Sequence, residues 1–311
     1  MDLQNKACLL LLAAALLMGC LNAQQPVPTA TPSPEPTAKI TATPVATQAP
    51  TATPVPTLKV EAVSACGKIT QAGAYYLENG IALERGNSAC ITISTENAEL
   101  DCRGNSVDSL GKNNTGILLE GANGSIVKNC NVAGFDQNVV LRNTQHSKIW
   151  GNTLSGFSFA VTLVDSSQNE VSGNNASGFL NGNGIRLSRS NYNTVSGNDF
   201  SKNEQGAFVN SSDGNAFLNN TARDNIFAGF WFYNSDNNTA RNNNLTTSPK
   251  LQSHRAGIIN QNGNNSFANN TVCTAAAYDF QCINGRAQDL GGNLCADKSN
   301  GCNTACLPCP S

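Results

Sequence analysis

Two aspartates occupy matching places in successive bends of the chain, Asp213 in SSDGN and Asp236 in NSDNN. Carboxylates stacked about 5 Å apart could serve as the paired acids of a retaining glycosidase, or could share a Ca²⁺ ion. Aspartate in a bend also commonly bonds its own backbone, and that architectural role is the favoured reading of both. A second set is aromatic and cationic: Phe208, Trp231 and Tyr233, with Arg142 and Arg186. Aromatic faces stack on sugar rings and guanidinium groups grip carboxylates or hydroxyls, so these five are the expected ligand-binding residues. The two histidines, His146 and His254, stand several repeats apart and cannot cooperate. Trp150 is isolated and is expected to pack beneath a loop.

What must position these side chains is a repeat. An asparagine recurs at Asn152, Asn174, Asn198, Asn220, Asn243 and Asn270, with Cys130 taking the same place one unit earlier, in steps of 22, 22, 24, 22, 23 and 27 residues. Such a period implies a solenoid in which each unit is one coil and buries its apolar face by stacking on its neighbours. Within a unit the apolar residues alternate, as in Gly184-Ile185-Arg186-Leu187, and Asn, Gly and Ser punctuate them. Period two means short strands, and the punctuating residues tolerate the left-handed backbone of sharp corners. A leucine framework is missing, as is a hexapeptide period. The expected fold is therefore all-β: a single-stranded right-handed parallel β-helix of about 22 residues per coil, with an N-terminal cap and a Cys-rich C-terminal tail.

Stacked asparagines at strand spacing can donate each amide to the next carbonyl, which satisfies groups that would be costly if buried alone. A second file is expected to change from rings to amides, through Phe135, Phe157, Phe179, Asn203 and Asn225. If Ile185 and Leu187 point inward, the same register places Leu118, Val140, Thr162, Arg186, Phe208, Trp231 and Ile259 in one exposed column. Arg142, Val164, Ser188, Asn210 and Tyr233 form its neighbour.

The ends read differently. Residues 1–20 hold Lys6, an apolar run from Ala7 to Leu17 and then Met18-Gly19-Cys20. The run suits a signal peptide, with Cys20 the expected lipidation site and cleavage near Ala23 the alternative. Residues 21–57 are a Pro/Thr-rich stalk containing nine of the twelve prolines. Such a composition favours extended chain, at ~3.1 Å per residue a reach of about 100 Å. The β-helix with its cap is placed at 58–275 and the Cys-rich cap at 276–311. Ten cysteines lie in the folded part: Cys66, Cys90, Cys102, Cys130, Cys273, Cys282, Cys295, Cys302, Cys306 and Cys309. An even number in an exported chain points to disulfides, with Cys66–Cys90 and Cys102–Cys130 the first expected pairs and the remaining connectivity open. Zinc on Cys302, Cys306 and Cys309 is the less favoured alternative, because export favours oxidised pairs. A net charge of −2, with no basic stripe, excludes a phosphate-neutralising surface, so nucleic acid is not an expected partner. Nine Asn-x-Ser/Thr sequons arise largely from the repeat, and laddered asparagines among them would be closed to glycosylation.

CGKIT followed by GAYYL, then CITI, ELDCRGN, IVKNCNVAGF and the NxVxGN coils, resembles the exported right-handed parallel β-helix repeat proteins. That resemblance covers roughly residues 64–300 and implies the pectate-lyase-like solenoid, shared with a periplasmic copper-maturation family. Its members include polysaccharide lyases, mannuronan epimerases, glycoside hydrolases, adhesins and stalk proteins, so the fold alone does not choose an activity. The DPHE-type epimerase motif is absent, and no His/Met/Cys cluster supports copper outside the tail. The expected function is a secreted or lipid-anchored cell-surface protein that binds glycan or a surface partner without catalysis, touching a membrane only through its anchor. The alternative is a polysaccharide-active enzyme using Asp213 and Asp236. No cofactor is expected, with Ca²⁺ at that pair the one exception.

Overall fold

The computed structural model describes residues 60–309, apart from 85–87, 110–113, 247–255, 274–276 and 297–298. The leader with Cys20, the stalk, the sequon residue Asn113 and His254 lie outside the described residues. Every strand pairing is parallel, and strands pair with the coil before and the coil after. This is the β-helix that the repeat implies.

Each coil has three walls. A narrow sheet is built from three-residue strands such as Lys148–Trp150, Glu170–Ser172, Thr194–Ser196 and Ala216–Leu218. A broad sheet runs through Thr115–Glu120, Asn131–Arg142, Thr153–Val164, Asn183–Ser188, Gln205–Asn210, Ala228–Tyr233 and Ala256–Gln261. The third wall is a file of single bridges, Thr153 to Asn175, Asp199, Thr221, Asn244 and Thr271. Alternation sends Ile185 and Leu187 inward, where both are fully buried. Inside, like residues stack on like: Val127, Ile149, Val171 and Val195 form one file and Leu119, Leu141, Leu163 and Leu187 another. Farther along, larger rings fill the interior, with Phe217 5.3 Å from Phe230 and 5.5 Å from Phe232 between ring centroids. Small residues sit where a neighbour is large, as Ala176 and Ala222 on either side of Phe200 do.

The marker asparagines form a buried ladder from Asn152 to Asn293. Each side-chain amide donates to the Oδ1 of the next asparagine at 2.9–3.1 Å. The same oxygen also accepts the backbone N–H of the preceding rung, and the second amide hydrogen reaches a strand carbonyl, as Asn198 Nδ2 does to Val171 O at 2.9 Å. Every polar atom of a rung is thereby satisfied inside an apolar tube. A second ladder that the sequence reading missed runs five residues upstream, through Asn169, Asn193, Asn215, Asn238 and Asn265. Beside it a hydroxyl file, Ser166, Ser190, Ser212 and Ser235, accepts backbone N–H groups of the preceding coils.

The expected ring-to-amide file is only partly present. Phe135 and Phe179 are fully buried, and Asn203 and Asn225 continue the file through Phe179 N–H to Asn203 Oδ1 at 2.7 Å and Asn203 N–H to Asn225 Oδ1 at 2.8 Å. Phe157 is 44% exposed instead. The register between these two coils shifts on both sides of Phe135, so that Phe135 faces Gly156 and Gln137 faces Phe159, and the residues between are extruded at the bend. The sequons also differ from expectation. Among the described residues their asparagines, including Asn175, Asn219 and Asn237, stand on the exterior beside the laddered positions and not in them.

All ten cysteines pair: Cys66–Cys90, Cys102–Cys130, Cys273–Cys309, Cys282–Cys302 and Cys295–Cys306. The first two are the expected pairs, and the last three consume the cysteines of the alternative zinc site. Strands Tyr278–Ile283 and Arg286–Asp289 extend both sheets, so coiling continues past residue 275.

Replacing one rung tests the ladder. Asn198→Leu strands the Asn174 amide and backbone N–H, so we expect urea unfolding to show a loss of roughly 2–5 kcal/mol, against about 0.5 kcal/mol for the exposed Asn175→Ala. Because coils contact only their neighbours, Cys282→Ser with Cys302→Ser should act locally. Hydrogen exchange is expected to accelerate over residues 278–295 and to stay slow over 126–245.

Candidate functional site

The outer face of the broad sheet carries the expected columns in the expected register. Leu118, Val140, Thr162, Arg186, Phe208, Trp231 and Ile259 are successive partners, as are Arg142, Val164, Ser188, Asn210 and Tyr233. Their exposure is less uniform than alternation suggests. Val140, Thr162 and Ile259 are buried although they point outward, and Ser188 is nearly so. Ile259 packs with Ala228 and Ala256 under Phe227, Trp231, Tyr278 and Ile283, because outward neighbours on adjacent coils close over small residues. Arg186, Phe208, Trp231 and Tyr233 stay half-buried and Arg142 is exposed.

Four aromatic rings meet on this face. Trp231 lies 5.0 Å from Phe208, 5.3 Å from Phe227 and 6.0 Å from Tyr233 between ring centroids. The Arg186 guanidinium sits 5.2 Å from the centroid of Phe159, and Arg142 is engaged by Glu120 at 3.0 Å. Three polar atoms in the central file, Thr162 Oγ1, Arg186 Nε and Trp231 Nε1, are buried without a hydrogen-bond partner.

The aspartate pair does stack, in a file of bend side chains. Asp213 Oδ1 accepts the Asp236 backbone N–H at 2.7 Å, and Asp236 Oδ1 accepts that of Asn264 at 2.7 Å. Asn191 does the same for Asp213 one coil earlier, at 2.7 Å. Each bond reaches the following coil's backbone and not the residue's own turn. One oxygen of each carboxylate is thus committed to architecture. Trp150 is 37% exposed, with Lys128 Nζ 5.8 Å from its ring, and so differs from the loop-covered residue that was expected.

The sequence reading missed a groove of about 560 Å³ on the narrow sheet, lined by His146, Lys148, Gln168, Glu170, Tyr192, Thr194 and Ser196 among others. Lys148 and Glu170 form an ion pair at 2.9 Å on its floor, and Ser172 Oγ donates to Glu170 at 2.7 Å. The Ser172 hydroxyl first and the Lys148 ammonium second hold the Glu170 carboxyl below its ordinary range. The wall beside it is a corner whose backbone is left-handed in successive coils: Asn97, Gly124, His146, Gln168, Tyr192, Gly214 and Asn237, with φ between 54° and 67°. A left-handed residue with a side chain costs roughly 1–2 kcal/mol, less for Asn, Asp and His, and Gly takes the conformation freely. The opposite corner obeys that rule, with Asn129, Gly151, Gly173, Gly197, Asn219, Asn242 and Asn269. Gln168 and Tyr192 depart from it in adjacent coils, with His146 in the coil before them. That departure was the available sequence signal.

No curated protein matches the chain by sequence. Solved structures resemble it in fold. The enzymatically active domain of tailspike protein 2 of bacteriophage CBA120 matches with a TM-score of 0.54 at 11% identity, over 73% of this chain and 42% of that one, so the chain spans less than half of that domain. The periplasmic alginate epimerase AlgG matches with a TM-score of 0.50 at 12% identity, over 77% and 76%. An alginate lyase from Paenibacillus sp. str. FPU-7 matches with a TM-score of 0.51 at 13% identity, over 78% and 99%. These identities establish a common β-helix and nothing about activity. The model of the family described as periplasmic copper-binding protein (NosD) matches residues 96–277, more than half of the chain, and the chain belongs to that family.

Proposed function

We propose that the protein is an exported β-helix that binds a polysaccharide along the broad face and does not cleave it. The observation that carries this reading is the cluster of half-buried rings on that face, Trp231 with Phe208, Phe227 and Tyr233, and the Arg186 guanidinium in the same file. Rings stack on the apolar face of a sugar, and guanidinium groups donate to its hydroxyl and carboxylate oxygens. One outward position per coil at constant strand spacing suits a linear polymer over a compact ligand. Binding draws on a flat surface supported by the rigid ladder beneath, and its residues are Phe208, Trp231, Tyr233, Arg142 and Arg186.

Chemistry on the polymer is the second reading, favoured by the fold shared with an alginate epimerase and an alginate lyase. Asp213 and Asp236 are its candidates, yet each has an oxygen occupied by a backbone amide of the next coil. Copper, which the family description names, does not fit the donors present. The folded cysteines are all oxidised pairs, and no three His, Cys, Asp or Glu groups converge among the described residues. No step is routed through it. Lipid anchoring through Cys20 and a stalk at 21–57 complete the proposal and would hold the β-helix away from a membrane surface.

Titration of the full chain with acidic and neutral polysaccharides checks binding. Trp231→Ala is expected to weaken it about 10–100-fold, and Trp231→Phe to fall between, since it keeps a ring and loses the N–H. Asp236→Asn keeps the oxygen that accepts the Asn264 N–H, so the variant is expected to bind as the unaltered chain does. Neither protein should release reducing ends or unsaturated products. Product formation that Asp236→Asn abolishes would overturn the non-catalytic reading.

A further inference from the structure

We infer that the groove on the narrow sheet is a separate saccharide site, specific for neutral, hydroxyl-rich pyranose chains, with Tyr192 as its stacking platform. It lies on a different wall from the aromatic file of the broad sheet and does not depend on that reading.

Three observations converge. The first is strain. His146, Gln168 and Tyr192 hold left-handed backbone where other coils of the same corner use Asn97, Gly124, Gly214 and Asn237. All three are exposed, and their side chains make no hydrogen bond or ion pair among the described residues. Unfavourable backbone kept at Gln168 and Tyr192 in adjacent coils, both lining one groove, points to a role outside folding. The second is preorganisation. Tyr192 is 67% exposed, yet its ring lies over Gly214, where an added Cβ would come within 2.6 Å of ring carbons. The ring is thus laid against the surface with an open face, as stacking on a sugar requires. The third is the floor. Lys148 and Glu170 offer donors and acceptors at no net charge, with the Thr194 and Ser196 positions beside them and the amide of Gln168 on the wall. Paired opposite charges supply hydrogen bonds to hydroxyls without favouring an anion, so a neutral sugar suits this floor better than a uronate. A groove of about 560 Å³ is of a size to take a short run of pyranose rings.

The corner makes the test unusually direct, because removing the platform should also relieve the strain. Tyr192→Gly and Tyr192→Asn in the full chain are each expected to raise the unfolding midpoint by about 2–4 °C. The same variants should weaken binding of neutral hexasaccharides (cellohexaose, mannohexaose, xylohexaose), measured by calorimetry, at least about tenfold. Asn219→Gly, at the opposite corner, is the control and should leave that binding unchanged. Hexamannuronate titrated in parallel reports on the broad face, so loss of that signal bears on the other proposal alone. Equal binding of the neutral sugars by the Tyr192 variants, a fall in their unfolding midpoint, or no binding by the unaltered chain to any of the three at about 1 mM would overturn the inference.

Discussion

A buried side-chain amide must find partners for two hydrogens and an oxygen, and in this molecule the partners are its own copies one coil away. Asn198 Oδ1 accepts both the amide and the backbone N–H of Asn174, and Asn198 donates onward to Asn220. Displacing one rung by a single residue would leave several buried groups without partners. Register is therefore far more strongly specified along the ladders than anywhere else. Coil length is not so constrained. The longest step, from Asn243 to Asn270, still closes a 2.9 Å bond.

The same constraint explains what could be read in the sequence. Asparagine recurring near 22 residues has a narrow physical meaning, and strand alternation counted from it gave the correct register of Arg186, Phe208 and Trp231. The pairs Cys66–Cys90 and Cys102–Cys130 followed from coil spacing. Interior positions were legible because stacking demands the same residue type repeatedly. Phe157 was misplaced because the register shift beside it depends on how Gly156 packs against the Phe135 carbonyl and the Asn138 side chain, a contact between coils that periodicity does not encode. The burial of Ile259 was hidden for a similar reason, since it depends on which outward neighbours close over it. The narrow-sheet groove went unread because its signal is negative: a corner that lacks the Gly and Asn its backbone favours.

Inside and outside thus obey different rules. Interior files tolerate little variation, whereas outward columns change identity at every coil, from Thr162 to Arg186 to Phe208 to Trp231. A rigid stack converts such columns into surfaces with fixed spacing. Corners add a further device. They set the backbone to a conformation that glycine and asparagine take freely, and other residues found there, Lys202 and Ser211 among them, hold it at a cost. Arg189 is one such case, and its double contact with Asp165 across the coils, at 2.7 and 2.8 Å, supplies a local reason. Tyr192 has no such contact among the described residues.

The cysteines complete the logic of the stack. Cys130 stands in the ladder column and donates its N–H to Asn152 Oδ1 at 2.9 Å, one rung before asparagine takes over. Its bond to Cys102 ties the coil that has no amide to continue the file. At the other end Asn293 is the last rung, bonded to Asp289, and Cys295–Cys306 follows two residues on. Terminal coils have a neighbour on one side only, so they gain least from stacking and need another tether. Covalent links stand where the ladder runs out. Cysteines placed for that purpose are oxidised in an exported protein and unavailable as thiolate ligands. Membership of a family named for copper therefore does not carry a thiolate centre over to the described residues, whose ten cysteines are all paired.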